Sequence, residues 1–334
     1  ILYKSGGTGY LVIQGKMKMR KLIIYVALLT CVGLGATKYA GEIFQLSPGV
    51  LNQAMGNTGL TWNGSLSAGW WNPALLATSS QGGAELMRSE NFEGLLQQNQ
   101  FALSLGGKTR SAILVSHIGI DKIKLTRLEN DADSLSNANR PVVWKTVSNN
   151  DVVLYGSIAR SVKNKLHLGL TPKLAYRNLA ENSGYGFGAD LGLLWNAGGG
   201  FSAGANLRDF FTTRIIWENG THEVAIPNLD LELAYSFALL GKKVPVHLAL
   251  RGQTYAEGRG DASNLSFGEF STDLHGGVLV QPIPQLNVMA GWDVDSFTAG
   301  LGVRWWNLGL DYAWRNGSDD ALGYSQRVAL SYSW

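Results

Sequence analysis

Residues 228–240 read NLDLELAYSFALL. Leu229, Leu231, Leu233, Tyr235, Phe237 and Leu239 alternate with Asp230, Glu232, Ala234, Ser236 and Ala238. A period of two places each set on one face of a β-strand. The pattern returns in 164–177, where Leu166, Leu168, Leu170, Leu174 and Tyr176 alternate with His167, Gly169, Thr171, Lys173 and Arg177. It returns again at 306–315 and in the last segment, where Tyr324, Val328, Leu330, Tyr332 and Trp334 alternate with Ser325, Arg327, Ala329, Ser331 and Ser333. A soluble β-sandwich alternates too, but these runs exceed the usual strand of about 5–6 residues. Their polar face mixes small residues with Arg, Asp, Lys and His, as a wet or plugged lumen requires. Aromatics cluster at the ends of the apolar faces, at Tyr185/Trp195, Trp306/Trp314 and Tyr332/Trp334. These features together predict a transmembrane antiparallel β-barrel with aromatic girdles.

Composition agrees. Of 334 residues, 42 are Gly and 16% are charged, against roughly 25% in soluble domains. Mean hydropathy is near zero, and after residue 40 no run reaches the roughly 20 apolar residues of a membrane helix. The formal charge of +3 comes from the first 40 residues, which hold Lys4, Lys16, Lys18, Arg20, Lys21 and Lys38 and no acid. The remainder is mildly acidic, which gives no footprint for nucleic acid.

KMKMRK (16–21) followed by LIIYVALLTCVGLGA (22–36) has the form of a secretory signal. Residues 1–40 are therefore predicted to be upstream residues and a cleaved signal peptide, with export to the bacterial outer membrane. Cys31, the only cysteine, lies within it, so the mature chain is expected to carry no disulfide or Cys-based metal site.

Fourteen strands are predicted, at 83–90, 97–106, 109–124, 148–162, 164–178, 184–196, 199–210, 228–240, 244–256, 268–281, 285–293, 296–304, 306–315 and 323–334. The number is even, as in single-chain bacterial barrels. In 113–125, ILVSHIGIDKIKL, the phase changes partway, which predicts a bulge. Connections at 106–109, 163–164, 196–199, 241–243 and 282–284 are short; those at 125–147, 211–227, 257–267 and 316–322 are long, and only 294–295 breaks the pattern. Short periplasmic turns opposite long external loops are the barrel pattern.

Residues 41–82 do not alternate. Ser47-Pro48 is predicted to start a helix ending at Gly56, and Asn72-Pro73 to cap a second, with Trp70 and Trp71 packed on the inner wall near the periplasmic end. The domains are thus 1–40, a plug or hatch segment at 41–82, and a barrel at 83–334.

LSPGVLNQAMGNTGLTWNGSLSAGWWNPALLA (46–77) resembles the opening of the PorV/PorQ family of outer-membrane proteins, relatives of the FadL-type barrels. The likeness rests on Ala54, Met55, Gly56 and Gly59, then on Trp70, Trp71, Asn72, Pro73 and Ala74. Acidic residues often precede the box in that family; here the stretch is NGSLSAG. The resemblance implies a fourteen-strand barrel with an N-terminal hatch. It implies a non-enzymatic part in type IX secretion, with secretion-machinery proteins or the signal domains of exported cargo as partners. FadL-like relatives imply the alternative, passive passage of hydrophobic small molecules.

No chemistry-bearing motif competes. His117, His167, His222, His247 and His275 form no HxxxH or HExxH pair. NDADS (130–134) lacks the later ligands of a calcium loop, GGGFSAG (198–204) is not followed by a helix, and no nucleophile elbow occurs. No enzyme, metal or cofactor is predicted. The inward-facing charges are predicted to be Lys173, Arg177, Asp190, Arg208, Asp230, Glu232, Arg251, Arg304, Asp311 and Arg327. Buried charges need partners, so a dry plugged lumen requires these to pair.

Overall fold

A computed structural model describes residues 41–80, 82–107, 110–180, 182–241, 243–317 and 323–334. The signal-like region with Cys31 and parts of three predicted connections lie outside the described residues.

Fourteen barrel strands close on themselves. In chain order the strands are β1 (Gly83–Asn91), β2 (Leu96–Ser104), β3 (Ser111–Leu128), β4 (Pro141–Lys163), β5 (Leu166–Leu179) and β6 (Asn182–Gly198). They continue as β7 (Phe201–Arg208), β8 (Thr213–Trp217), β9 (His222–Ala225), β10 (Asn228–Leu239) and β11 (Val244–Tyr255). The last are β12 (Leu265–Phe267), β13 (Phe270–Ile283), β14 (Leu286–Asp293), β15 (Ser296–Trp305), β16 (Leu308–Arg315) and β17 (Ser325–Ser333). All pair antiparallel, and β1 pairs with β17 from Gly83↔Ser333 to Glu90↔Gln326, which closes the barrel. β7 and β8 both pair with β6 and form one barrel strand broken at 209–212. β9 and β10 are likewise one strand, paired to β8 and β7 and broken at 226–227. β12 is a short addition to β13.

Every apolar set read from the alternation faces outward. Leu231, Leu233, Leu250, Leu301, Leu310 and Leu330 are each more than half exposed, a pattern that only lipid contact accommodates at this extent. Tyr185, Trp195, Trp306, Tyr332 and Trp334 are exposed with them, while Trp314 is only half-exposed. Trp306 is not in a strand: it stands in the turn between β15 and β16 with φ 54°.

The structure corrects four local expectations, at 125–147, 211–227, 257–267 and Ser47, and bears out the bulge. The connection expected at 125–147 is mostly ladder, because β3 and β4 continue pairing to Leu128↔Pro141; only 129–140 turns. The phase change is a bulge, between Ile120 and Ile123, with Lys122 at φ 59°. The connection expected at 211–227 contains β8 and β9, and that at 257–267 contains β12. Lastly, Ser47 does not cap a helix. Helix α2 (Val50–Ala54) follows Gly49, at φ 83°, without a side-chain cap. Ser47 is used elsewhere: its carbonyl accepts Arg327 Nη1 at 2.7 Å and its hydroxyl donates to Asn57 Oδ1 at 2.8 Å.

Residues 41–80 run through the lumen. Helix α1 (Glu42–Gln45) lies against β4 near Ala225, at the long-hairpin end. α2 lies along β14, β15, β16 and β17, and α3 (Ala68–Trp71) along β3 and β4. A 3-10 turn, Pro73–Ala77, crosses β4, β5 and β6 before the chain leaves at the short-turn end.

Candidate functional site

The lumen and the segment filling it form the site. The Asn72-Pro73 box works locally as expected: Asn72 Oδ1 accepts the Ala74 N–H at 3.1 Å and Pro73 opens the 3-10 turn. Its other amide edge does what sequence cannot show. Asn72 Nδ2 donates to Leu60 O at 2.8 Å within the segment and to Leu193 O at 2.9 Å on β6. Asn72 is fully buried, so each of these groups would otherwise lack a partner.

Close approach needs glycine on the wall. A Cβ at Gly169 or Gly192 would collide with the Asn72–Ala74 stretch, and one at Gly277 or Gly291 with Met55 and Gly56. The Ala54-Met55-Gly56-x-x-Gly59 step is the counterpart on the segment. Gly56 has φ 66°, and a side chain there would meet the backbone of Gly276 and Trp292. Gly56 N–H donates to Thr298 Oγ1 at 2.9 Å, and Thr298 donates back to Ala54 O at 3.0 Å. Gly59 N–H donates to Glu232 Oε2 at 2.7 Å.

All ten predicted inward charges face the lumen, and nine are buried; Arg304 is partly exposed at the short-turn mouth. Lys173 Nζ pairs with Asp190 at 2.8 Å and Asp209 at 2.6 Å. Asp230 takes Arg208 at 2.7 Å and Arg251 at 3.0 Å. Arg177 meets Asp151 through two bonds of 3.1 and 3.2 Å, and Arg304 meets Asp311 at 2.6 Å. Two charges hold the segment's backbone instead. Glu232 accepts Gly59 N–H and Thr61 N–H, and Arg327 donates to Ser47 O. His167 and His247 point inward and bond Ser161 and Ser236. Among the described residues no cluster of three His, Cys, Asp or Glu side chains is placed to hold a metal.

Trp70 and Trp71 sit deeper than predicted. They stack edge to face at 5.0 Å. Arg208 lies 3.9 Å from the Trp70 ring and Arg251 5.3 Å from that of Trp71. Both arginines are the eighth residue of their strands, counted from the short-turn end, so the pair lies well inside the barrel rather than at the periplasmic mouth. The cause is cationic: the stacking partners stand beside Asp230, far from the turns.

The Lys173–Asp190 and Arg177–Asp151 pairs share their wall with an apolar cluster. Ile43, Phe44, Leu60, Trp70 and Trp71 of the segment join Leu114, Ile118, Val153, Tyr155, Ala175, Ile215, Trp217 and Ala225 of the wall in one buried cluster. Phe44 covers Lys173 Nζ at 4.6 Å. Ile43 and Phe44 belong to a four-residue helix whose Glu42 and Gln45 are exposed.

Several of these residues escaped the sequence reading. Asp151 shares the inward phase of Val153 and Tyr155, so the period-two pattern could have found it. Asp209 could not be found that way, because it lies in the break between β7 and β8 with φ 52°. Ile43 and Phe44 carry no periodic signal.

No family model and no curated protein matches the chain. Solved structures do match in fold. The toluene transporter TbuX of Ralstonia pickettii is 13% identical, with 87% of this chain and 98% of that chain covered at a TM-score of 0.54. The P. putida toluene transporter TodX is 13% identical over 86% and 98% at 0.51. A Pseudomonas aeruginosa FadL homologue is 11% identical over 86% and 98% at 0.52. At such identities the likeness is one of fold: a closed fourteen-strand barrel of the FadL-like outer-membrane kind.

Proposed function

We propose that this protein is a non-enzymatic outer-membrane channel that admits small hydrophobic molecules, with its N-terminal segment as the movable occupant of the route. The carrying observation is the apolar cluster in which Ile43 and Phe44 fill a pocket of wall residues of β3, β4, β5, β8 and β9. A water-filled pore has no use for such a cluster. The side chains of α1 stand where an apolar solute would lie, and a helix of one turn has little cohesion of its own. The fold shared with proteins described as toluene transporters supports the same reading. The type IX shuttle implied by the PorV/PorQ resemblance rests on residues 46–77 alone, and among the described residues no feature of the lumen or loops adds to it.

The test is uptake of a hydrophobic tracer, a radiolabelled monoaromatic or medium-chain fatty acid, by outer-membrane-intact cells with and without the gene. Faster uptake with the gene supports the channel. Equal rates, together with loss of secreted cargo on deletion, would turn the assignment to the shuttle.

A further inference from the structure

The outer wall is not apolar all round. On β10 the outward residues from Leu229 to Leu239 are apolar without interruption. On β1 the outward apolar residues are only Ala84 and Leu86, followed by Arg88 and Glu90. The neighbouring strands continue the polar row. Gln326 (β17) donates to Glu90 at 3.2 Å, and Arg88 donates to Glu90 at 3.2 Å and to Asn99 (β2) at 3.1 Å. Asn99 meets His117 (β3) at 3.5 Å. Register fixes the depth of this row. Arg88 pairs with Val328 and Glu90 with Gln326, on the strand that ends in the Tyr332/Trp334 girdle. At about 3.3 Å per residue and a tilt of about 40°, Arg88 stands about 10 Å above Tyr332 and Glu90 about 15 Å above it. Both lie inside an apolar band of about 25 Å, where the bilayer offers neither headgroups nor bulk water.

Full charges on a lipid-facing wall are costly. The Arg88 and Glu90 side chains remain 47% and 39% exposed while bonded to each other. Arg88 uses three of the five donors a guanidinium carries, so the row has bonding capacity left over. Whatever covers it must bring polar groups to the same depth. A second copy of the chain does so of necessity, because rotation about a two-fold axis along the membrane normal leaves every residue at its own depth. The signs also match. In an isologous contact residue i meets j and j meets i, so Arg88 of each copy meets Glu90 of the other. Their difference in depth, about 5 Å, is within the reach of an arginine side chain. We infer that the polar row on β17, β1, β2 and β3 is the interface of a homodimer within the membrane. The two-fold axis passes close to Arg88 and Asn99, two symmetry-related Arg88–Glu90 pairs cross it, and the exposed Leu86 and Phe101 add apolar contact below. A row of one sign would repel its own copy; a cation beside an anion complements it.

The experiment uses the full barrel in outer membranes, with Asn99→Cys as the reporter; Cys31, the only native cysteine, lies in the signal-like region. Oxidation with copper phenanthroline should give a cross-linked product of twice the barrel's mass. Arg88→Glu or Glu90→Arg, each added to the reporter, places like charges across the axis and should cut the cross-linked fraction about tenfold. Co-expressing the two reversed chains, with different epitope tags, should restore a product that carries both tags, since one then presents two anions and the other two cations. Heat-modifiable gel migration checks that each variant folds; should a reversal fail, Arg88→Gln and Glu90→Gln carry the comparison, and each should lower the yield. Absence of the doubled product, a yield unchanged by the substitutions, or co-expressed reversals that fold and stay apart would overturn the interface. So would a cross-linked product that contains a different protein and no second copy.

Discussion

The two halves of the lumen hold the same segment by different means. Along β10, β11 and β13 to β17, directional contacts to the main chain accompany an apolar cluster built on Val50, Leu51, Ala54 and Met55. Arg327, Thr298, Glu232 and Arg251 bond main-chain atoms of residues 47, 54, 56, 57, 59 and 61, and Asp293 accepts from Asn57 Nδ2 at 2.8 Å. Along β3 to β6 and β8, the contacts are mainly apolar surface, with Ser157 and Thr171 bonding Gly69 O and Asn72 bonding Leu193 O as the polar exceptions. A hydrogen bond to a buried charge specifies one geometry and leaves an expensive remainder when broken. Apolar burial has no direction and accepts any occupant of suitable size. The main-chain bonds to residues 47–61 therefore act as a clamp, and the pocket around Ile43 and Phe44, which makes none, as a berth suited to exchange with a solute.

Substitutions at four points would break or sharpen that division. The largest effect is expected from Asp230→Ala, which leaves Arg208 and Arg251 buried without their shared carboxylate. A loss of about 3–5 kcal/mol should appear as a lower urea midpoint of heat-modifiable migration, and a wild-type midpoint would show that the clamp is not electrostatic. Trp71→Ala should cost about 3 kcal/mol by leaving a cavity and should raise leak of small hydrophilic antibiotics, since the ring lies between the two halves. Gly291→Ala forces a Cβ into the backbone of Met55 and Gly56; about 2 kcal/mol of overpacking strain is expected, read in the same urea titration, with tracer uptake unchanged. The smallest stability effect, about 1 kcal/mol, is expected from Phe44→Ala, because a one-turn helix at the mouth can retract. Its tracer uptake should nevertheless rise. A Phe44→Ala variant with unchanged uptake would take α1 off the solute route.

Much of the barrel was legible because lipid imposes it. Each strand must turn apolar residues outward and satisfy its backbone in a closed ladder, so a period of two survives as plain text in segments such as 228–239 and 308–315. The pattern also separated the inward charges from the outward leucines. It blurred where that constraint lapses. The β3–β4 ribbon rises past the apolar belt and is exposed on both faces between Val142 and Trp144, so neither alternation nor hydropathy marked it as strand. The breaks at 209–212 and 226–227 shift the phase and hid both Asp209 and the continuation of β7 into β8.

The sequence by itself determined the class of fold, the strand number, ten of the inward charges and the local turn at Asn72-Pro73, because each follows from residues within a few positions of one another. Only the tertiary structure decided who pairs with whom. Asn72 reaches Leu193, Glu232 reaches Gly59, and Lys173 gathers Asp190 and Asp209 under Phe44. Such contacts are set by the stagger of the closed sheet and by which wall glycines admit the segment's backbone. Neither quantity leaves a periodic trace in the chain, and for that reason the division of the lumen into clamp and berth emerged only once the barrel was closed.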